Sequence, residues 1–307
     1  SCAYINEPEF DRPGTPYGKD LGIFDIMAEK DPDLMLWLGD NIYLREVDYT
    51  TLSGFFHRYT HTRSQPELQN LLQACPNYAI WDDHDYGPND GNRSYIHKDW
   101  ALKSFELFWG NPSYGLPDAN GGITTQFAFN DIDFFLLDNR YFRSNHTVKQ
   151  DQQGIFGEEQ VDWLIEALKF SKSPFKIVAS GGQFLSSFAE YENHALYAEE
   201  RKNLIKRIEK EGITGVIFLT GDRHSTELSV MNLKKGNKIY DLTASPLTSG
   251  AYDHLSEPNK NRIDGTMVCT QNFATLNFTG DTKNRKCVIT IYNSKGEEQW
   301  SQMIEKW

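Results

Sequence analysis

Five short apolar runs, each cut off abruptly by a polar cluster, constrain this chain more than any other feature. Leu34-Met35-Leu36-Trp37-Leu38 runs into Gly39-Asp40-Asn41-Ile42-Tyr43, and Tyr78-Ala79-Ile80-Trp81 into Asp82-Asp83-His84-Asp85. Phe134-Phe135-Leu136-Leu137 runs into Asp138-Asn139-Arg140, and Lys176-Ile177-Val178-Ala179 into Ser180-Gly181-Gly182-Gln183. Val216-Ile217-Phe218-Leu219 runs into Thr220-Gly221-Asp222-Arg223-His224. Runs this short, rich in β-formers and apolar throughout, read as strands buried on both faces. Helical stripes lie between them. Val161, Leu164, Ile165 and Leu168 mark a helix over 158–170, and Leu196, Leu204, Ile205 and Ile208 one over 195–210. The stretch 51–74 is helical with a break at Pro66. Alternating strands and helices imply parallel or mixed sheets with helices outside. Later, 265–278 and 286–293, bent at Thr279-Gly280-Asp281, read as a hairpin. The expected fold class is therefore α/β, a four-layer α/β/β/α sandwich of two mixed sheets flanked by helices.

At 307 residues the chain fits one large α/β domain or two ordinary ones, and no repeat or long linker divides it. Residues 1–307 are read as a single catalytic domain with a first strand expected ahead of Cys2, since the sequence opens at Ser1 and not at Met. A hydrophobic fraction of 39% builds a substantial core and excludes disorder. Lys plus Arg number 31 against 43 Asp plus Glu, and without a basic run the net charge of −12 disfavours coating of a nucleic-acid duplex. No apolar run approaches the ~18–20 residues of a membrane span. Four cysteines are too few for a disulfide framework, and the pairing of Cys75, Cys269 and Cys287 stays open, as does the oligomeric state.

In α/β sheets, ligands sit at the carboxyl ends of strands, where all these polar clusters fall. Together the clusters supply Asp40, Tyr43, Asp82, Asp83, His84, Asp85, Asp138, Arg140, Asp222 and His224. So many carboxylates raise one another's pKa unless cations join them. Oxygen donors favour calcium, magnesium or manganese, whereas Tyr, His and Cys donors favour iron or zinc. Both kinds are present, so the natural inference is a mixed site of more than one metal.

The ordered set Ser1-Cys2, Gly39-Asp40-Asn41-Ile42-Tyr43, Trp81-Asp82-Asp83-His84-Asp85, Leu137-Asp138-Asn139-Arg140 and Gly221-Asp222-Arg223-His224 resembles the PhoD-like alkaline phosphatase/phosphodiesterase family, within the calcineurin-like metallophosphoesterases. The purple acid phosphatases share a distant plan, but Asp83 stands where they carry Asn and Asp222 where they carry His. The resemblance implies ferric iron held by Cys2, Asp40, Tyr43 and His224. It also implies one or two calcium ions held by Asp40, Asp83 and Asp222. It places His84 against the substrate phosphate or the leaving group, with Asp85 behind it and Arg140 nearby. Gln183 ends a strand where purple acid phosphatases carry a histidine ligand. Asp138 is read as an orienting or capping residue, and Arg140 as either a substrate contact or a structural partner of Asp138 or Asp90.

The function so implied is hydrolysis of a small-molecule phosphate ester, monoester or diester, by a metal-bound hydroxide attacking in line with the leaving oxygen. Two rivals are hydrolysis of another ester class, a lactone or sulfate, on the same scaffold, and metal binding without catalysis. His84 beside a complete ligand set speaks against the second. The same resemblance implies an exported protein, whether periplasmic, cell-surface or secreted.

Overall fold

The computed structural model describes residues 1–117 and 121–305. The first half carries α1 (Gly22–Ala28), β1 (Met35–Leu38), α2 (Leu52–Arg63), α3 (Pro66–Ala74), β2 (Asn77–Ile80), α4 (Asp83–Tyr86), α5 (Lys98–Phe108), β3 (Thr125–Phe129) and β4 (Ile132–Leu136). The second half carries α6 (Glu158–Phe170), β5 (Phe175–Ala179), α7 (Ala198–Lys210), β6 (Val216–Thr220), β7 (Glu227–Asn232), β8 (Lys238–Thr243), β9 (Asn272–Thr279), β10 (Lys286–Asn293) and β11 (Glu298–Glu305). All five apolar runs form strands, as β1, β2, β4, β5 and β6. The helix over 158–170 forms as expected, and Pro66 opens a new helix by occupying its first turn. The expected helix over 195–210 begins with a 3₁₀ turn at His194–Tyr197.

Six strands form one mixed sheet in the order β3-β4-β5-β6-β8-β7. β4, β5, β6 and β8 run parallel, and β3 and β7 pair antiparallel at the edges. Because successive side chains alternate faces, Phe134, Leu136, Ile177, Ala179, Ile217 and Leu219 enter one core. Phe135, Val178, Val216 and Phe218 enter the other, which α6 and α7 close with Leu164, Leu168, Leu204 and Ile208. The first core is closed by the second sheet layer, through Trp37, Ile80, Phe273 and Ile289. Phe24, Phe55, Leu71 and Phe105 bring α1, α2, α3 and α5 into the same cluster. The stack is the expected four layers. Its second sheet layer is two ladders, a parallel β1-β2 pair and an antiparallel β11-β10-β9 sheet, and so is mixed only when both are counted.

Two features bear directly on the site. The carboxyl ends of β1, β2, β4 and β6 converge on one edge of the sandwich. The N-terminal segment is stitched in beside them: Ala3 N–H donates to the Asp40 carbonyl at 2.8 Å, and Leu247 N–H donates to the Ser1 carbonyl at 2.9 Å. Cys2 is thereby held between the end of β1 and the loop after β8. All four cysteines are free thiols, and no helix among the described residues is long and apolar enough to cross a membrane.

Candidate metal centre

Four of the donor-bearing positions, in the N-terminal segment and in the turns after β1 and β6, adopt left-handed backbone. The φ angles are 62° at Cys2, 50° at Asp40, 71° at Asp222 and 54° at His224. Each such residue costs about 1–3 kcal/mol, and strain of this kind collects at functional sites. Two glycines make the turns fit. Gly39 has φ 81°, and a Cβ there would lie 2.7 Å from Asp82 Cβ; a Cβ on Gly181 would lie 2.4 Å from Asp82 Cγ. The strand ends are therefore packed backbone against carboxylate, which a larger residue forbids.

One half of the centre is rich in soft and aromatic donors. Donor atoms of Cys2, Asp40 and His224 lie within 4.8 Å of one another. Cys2 Sγ is 3.5 Å from Asp40 Oδ2, and Tyr43 Oη lies 3.3 Å from that same oxygen and 3.2 Å from His224 Nε2. The Gly250 carbonyl, 2.6 Å from His224 Nδ1, can only accept, so Nδ1 carries a proton and Nε2 turns toward the centre. Burial works against a charged Cys2, yet the charge of His224 and its hydrogen bond bring the thiol down to about 5. Hydroxyls of Ser1 and Ser245 lie 3.2 and 3.1 Å from the sulfur. Burial and the neighbouring charges hold Tyr43 well above the usual phenol range.

The other half is made of oxygen. Asp82, Asp83 and Asp222 form a second group within the same 4.8 Å limit, and Asp40, Asp83 and His84 a third. Burial, then the charges of Cys2 and Asp83, push Asp40 well above the usual carboxylate range. Burial, then the charges of Asp82 and Asp83, do the same to Asp222. Burial lifts Asp82 to about 6 despite the opposing charge of Arg140. Asp83 moves downward, because the charges of His84 and Arg140 and the Asp90 N–H outweigh its burial. Buried acids crowded to this degree call for cations. The buried atoms Asp82 Oδ2 and His84 Nδ1 have no hydrogen-bond partner among the described residues. The donor set fits metal, soft on one side and hard on the other, with Asp40 common to both.

The expected site residues divide. Cys2, Asp40, Tyr43, His84, Asp83, Asp222 and His224 come together. His84 reaches the Asp40–Asp83 group with a ring nitrogen and packs on Tyr43 at 4.2 Å between centroids. Asp85 is turned away from the imidazole. It accepts from the backbone N–H of Asn41, Ile42 and Asp82, which locks the turn after β1 to the turn after β2. Arg140 is 1% exposed and saturated by carboxylates: it bonds Asp82 at 2.5 Å and Glu192 at 3.0 Å, leaving no free face for substrate. Gln183 points to Glu227 and Thr243 and not to the metal centre. Asp138 takes N–H groups of Trp81, Ile123, Arg140 and Tyr141, the orienting part expected of it. Sequence reasoning missed Glu192, which binds Arg140 and joins Asp83 and Asp90 in a fourth carboxylate group. No motif marks it, since it lies 52 residues beyond Arg140 in an irregular segment.

Two solved structures share this architecture. The structure of PhoD matches with a TM-score of 0.75 at 18% identity, covering 99% of this chain and 71% of that one. The purple acid phosphatase PPD1 from yellow lupin (Lupinus luteus) seeds matches at 0.68 and 12% identity, covering 99% and 52%. At these identities the likeness carries the fold alone, the two-sheet sandwich flanked by helices. The family model of PhoD-like phosphatases matches residues 14–296, and the chain belongs to that family. Alkaline phosphatase D of Bacillus subtilis (strain 168) is 22% identical over 325 residues, covering 88% of this chain and 54% of the relative. The chain thus spans about half the length of that curated relative.

Proposed function

We propose that this chain, a single catalytic domain over residues 1–307, is a metal-dependent hydrolase of phosphate monoesters, diesters or both. The observation that carries the reading is the double membership of Asp40, in the Cys2–Asp40–His224 group and in the Asp40–Asp83–His84 group. Cations seated side by side supply charge neutralisation for phosphoryl oxygens and acidify water into a nucleophile at neutral pH. Cys2, Asp40, Tyr43 and His224 suit ferric iron; Asp40, Asp83 and Asp222 suit calcium, as one ion or two.

The remaining work falls to side chains. His84 is the only imidazole in the carboxylate half among the described residues, is partly exposed, and in this reading gives a proton to the departing oxygen. Arg140 and Asp85 act as positioning residues: the first ties Asp82 to Glu192, the second fixes the Asn41–Ile42 turn beside Asp40. Phosphoryl transfer asks chiefly for such positioning and for charge neutralisation. The family membership and the curated relative, alkaline phosphatase D, support the substrate class. An exported location is part of the same reading and follows from the family resemblance alone.

Release of nitrophenolate from bis(4-nitrophenyl) phosphate and from 4-nitrophenyl phosphate, before and after a calcium-selective chelator, tests the reading. Turnover is expected to fall while iron stays bound. Calcium should restore it better than zinc, which prefers fewer ligands and nitrogen or sulfur donors. No release from either ester after loading with iron and calcium would contradict the function. Full rescue by zinc alone would overturn the metal assignment and leave the function standing.

A further inference from the structure

Two half-exposed tyrosines stand at the mouth of the centre without a part in it. Tyr252 is 50% exposed and Tyr191 is 57% exposed. Exposed apolar side chains such as Phe170 and Ile96 need no explanation, since single ones are ordinary on any surface. These two rings differ because each is fastened to the centre. Tyr252 stacks on the His224 imidazole with centroids 5.3 Å apart and planes 20° apart, and its N–H donates to the His224 carbonyl at 3.0 Å. Tyr191 lies under the Arg223 guanidinium, 4.4 Å from the ring centroid, and Arg223 separates Asp222 from His224 in the chain. His254 lies between the two rings, 6.4 Å from Tyr191 and 6.2 Å from Tyr252. Its own Nε2 meets the Arg223 carbonyl at 3.0 Å.

The backbone adds a second observation. Tyr191 and the next residue, Glu192, both adopt left-handed φ, 53° and 63°. Consecutive residues with Cβ atoms in that region are strained, and here the surroundings over-determine them. Glu192 is turned inward and clamped by Arg140 at 3.0 Å and Arg143 at 2.7 Å. Tyr191, its chain neighbour, is left facing out against Arg223. An aromatic ring held rigid in this way loses little freedom when a second ring stacks on it.

We infer that Tyr191 and Tyr252 form an aromatic platform at the mouth of the centre, which seats a flat ring carried by the phosphate ester, either an aryl group or a nucleobase. The inference rests on the proposed phosphoester centre and deepens it by naming what the ester carries. Stacking of a ring on a fixed aromatic side chain is sequence-tolerant and strong enough to change affinity about tenfold or more.

Calorimetric binding of non-hydrolysable phosphonates to the metal-loaded protein tests it. Methylphosphonate reports the centre alone, phenylphosphonate adds an aryl ring, and the 5′-methylenephosphonate analogue of AMP adds a nucleobase. The wild-type protein is expected to bind at least one ring-bearing phosphonate about tenfold or more tighter than methylphosphonate. A gain confined to one of them identifies the source of the ring. In Tyr191→Ala/Tyr252→Ala the ratio should fall to within about threefold of unity, and in Tyr191→Phe/Tyr252→Phe it should be kept. A structural lesion would weaken all three ligands alike and leave the ratio untouched, which overturns the platform. Equal binding of all three by the wild-type protein overturns it too while leaving the centre intact. No binding of any phosphonate, with no ester hydrolysed, removes the centre and the platform together.

Discussion

The carboxylate of Asp40 touches both halves of the centre, with Cys2 Sγ 3.5 Å from one oxygen and the backbone N–H of His84 donating to the other at 3.3 Å. Sequence shows Asp40 well, because a Gly-Asp step after an apolar run is a recognisable local signal. The same holds for Asp83, Asp222 and His224, each in a polar cluster at a strand end. Arg140 was less legible. Its burial and its hydrogen-bonded carboxylates depend on Asp82, 58 residues earlier, and on Glu192, 52 residues later, and no local pattern encodes a meeting of that kind. Asp85 shows the same limit, since spacing alone does not distinguish a carboxylate facing substrate from one receiving three backbone N–H groups. At this scale the sharpest prediction concerns His84. His84→Ala should retain its metals and fold while turnover falls roughly 10²–10⁴-fold, the usual contribution of a general acid. The loss should be smaller with nitrophenolate as leaving group and larger with an alkoxide. Equal losses would restrict His84 to holding phosphate, and a fall in metal content would make it a ligand, as its place beside Asp40 and Asp83 allows.

Among elements, the strands that form continuous apolar runs and the β9-β10 hairpin were legible, while β7 and β11 were not. β5 and β6 are buried along their whole length, whereas β11 is mostly exposed and β7 opens on Glu227, so neither gives an apolar run. The hairpin strand expected from Gly265 starts only at Asn272, because Val268 first pairs with Thr226 and draws 265–271 toward the six-stranded sheet. Helix α6 illustrates a cap that sequence does not announce. Its N-cap is Gly157, with no side chain to offer, and the carboxylate of Glu200 instead takes the N–H groups of Ile155, Phe156 and Gly157 at 2.9 to 3.1 Å. Glu200→Ala leaves those donors without their acceptor. Stability should fall by about 1–3 kcal/mol, read as a lower urea midpoint. Turnover of the folded, metal-loaded protein should be unchanged. An unmoved midpoint would show that Glu200 contributes nothing to the start of α6.

For the whole molecule, the crowded acids make stability depend on metal and on pH in a defined direction. Asp82 sits at about 6 and Asp85 at about 8 in the folded chain, both chiefly through burial, and Asp40 and Asp222 are raised as well. An acid whose folded pKa exceeds its unfolded value, near 3.8, holds its proton more tightly when folded. Stability is then greatest below about pH 4 to 5 for these groups and is lost as pH rises toward 8. The metal-free protein should therefore melt at a higher temperature at pH 5 than at pH 8. Calcium and iron, by binding the folded state, should raise the pH 8 melting temperature most. A metal-free protein that is more stable at pH 8 than at pH 5 would show that these carboxylates are not stressed in the fold.

The central claim is that two unlike cation sites adjoin through Asp40, and metal content per chain tests it most directly. Mass spectrometry of the purified wild-type protein should find about one iron and at least one calcium per chain. Cys2→Ser should lose iron and keep calcium, while Asp222→Asn should lose calcium and keep iron. A wild-type protein without stoichiometric metal, or variants that lose both metals in parallel, would contradict a centre built in two chemically distinct halves.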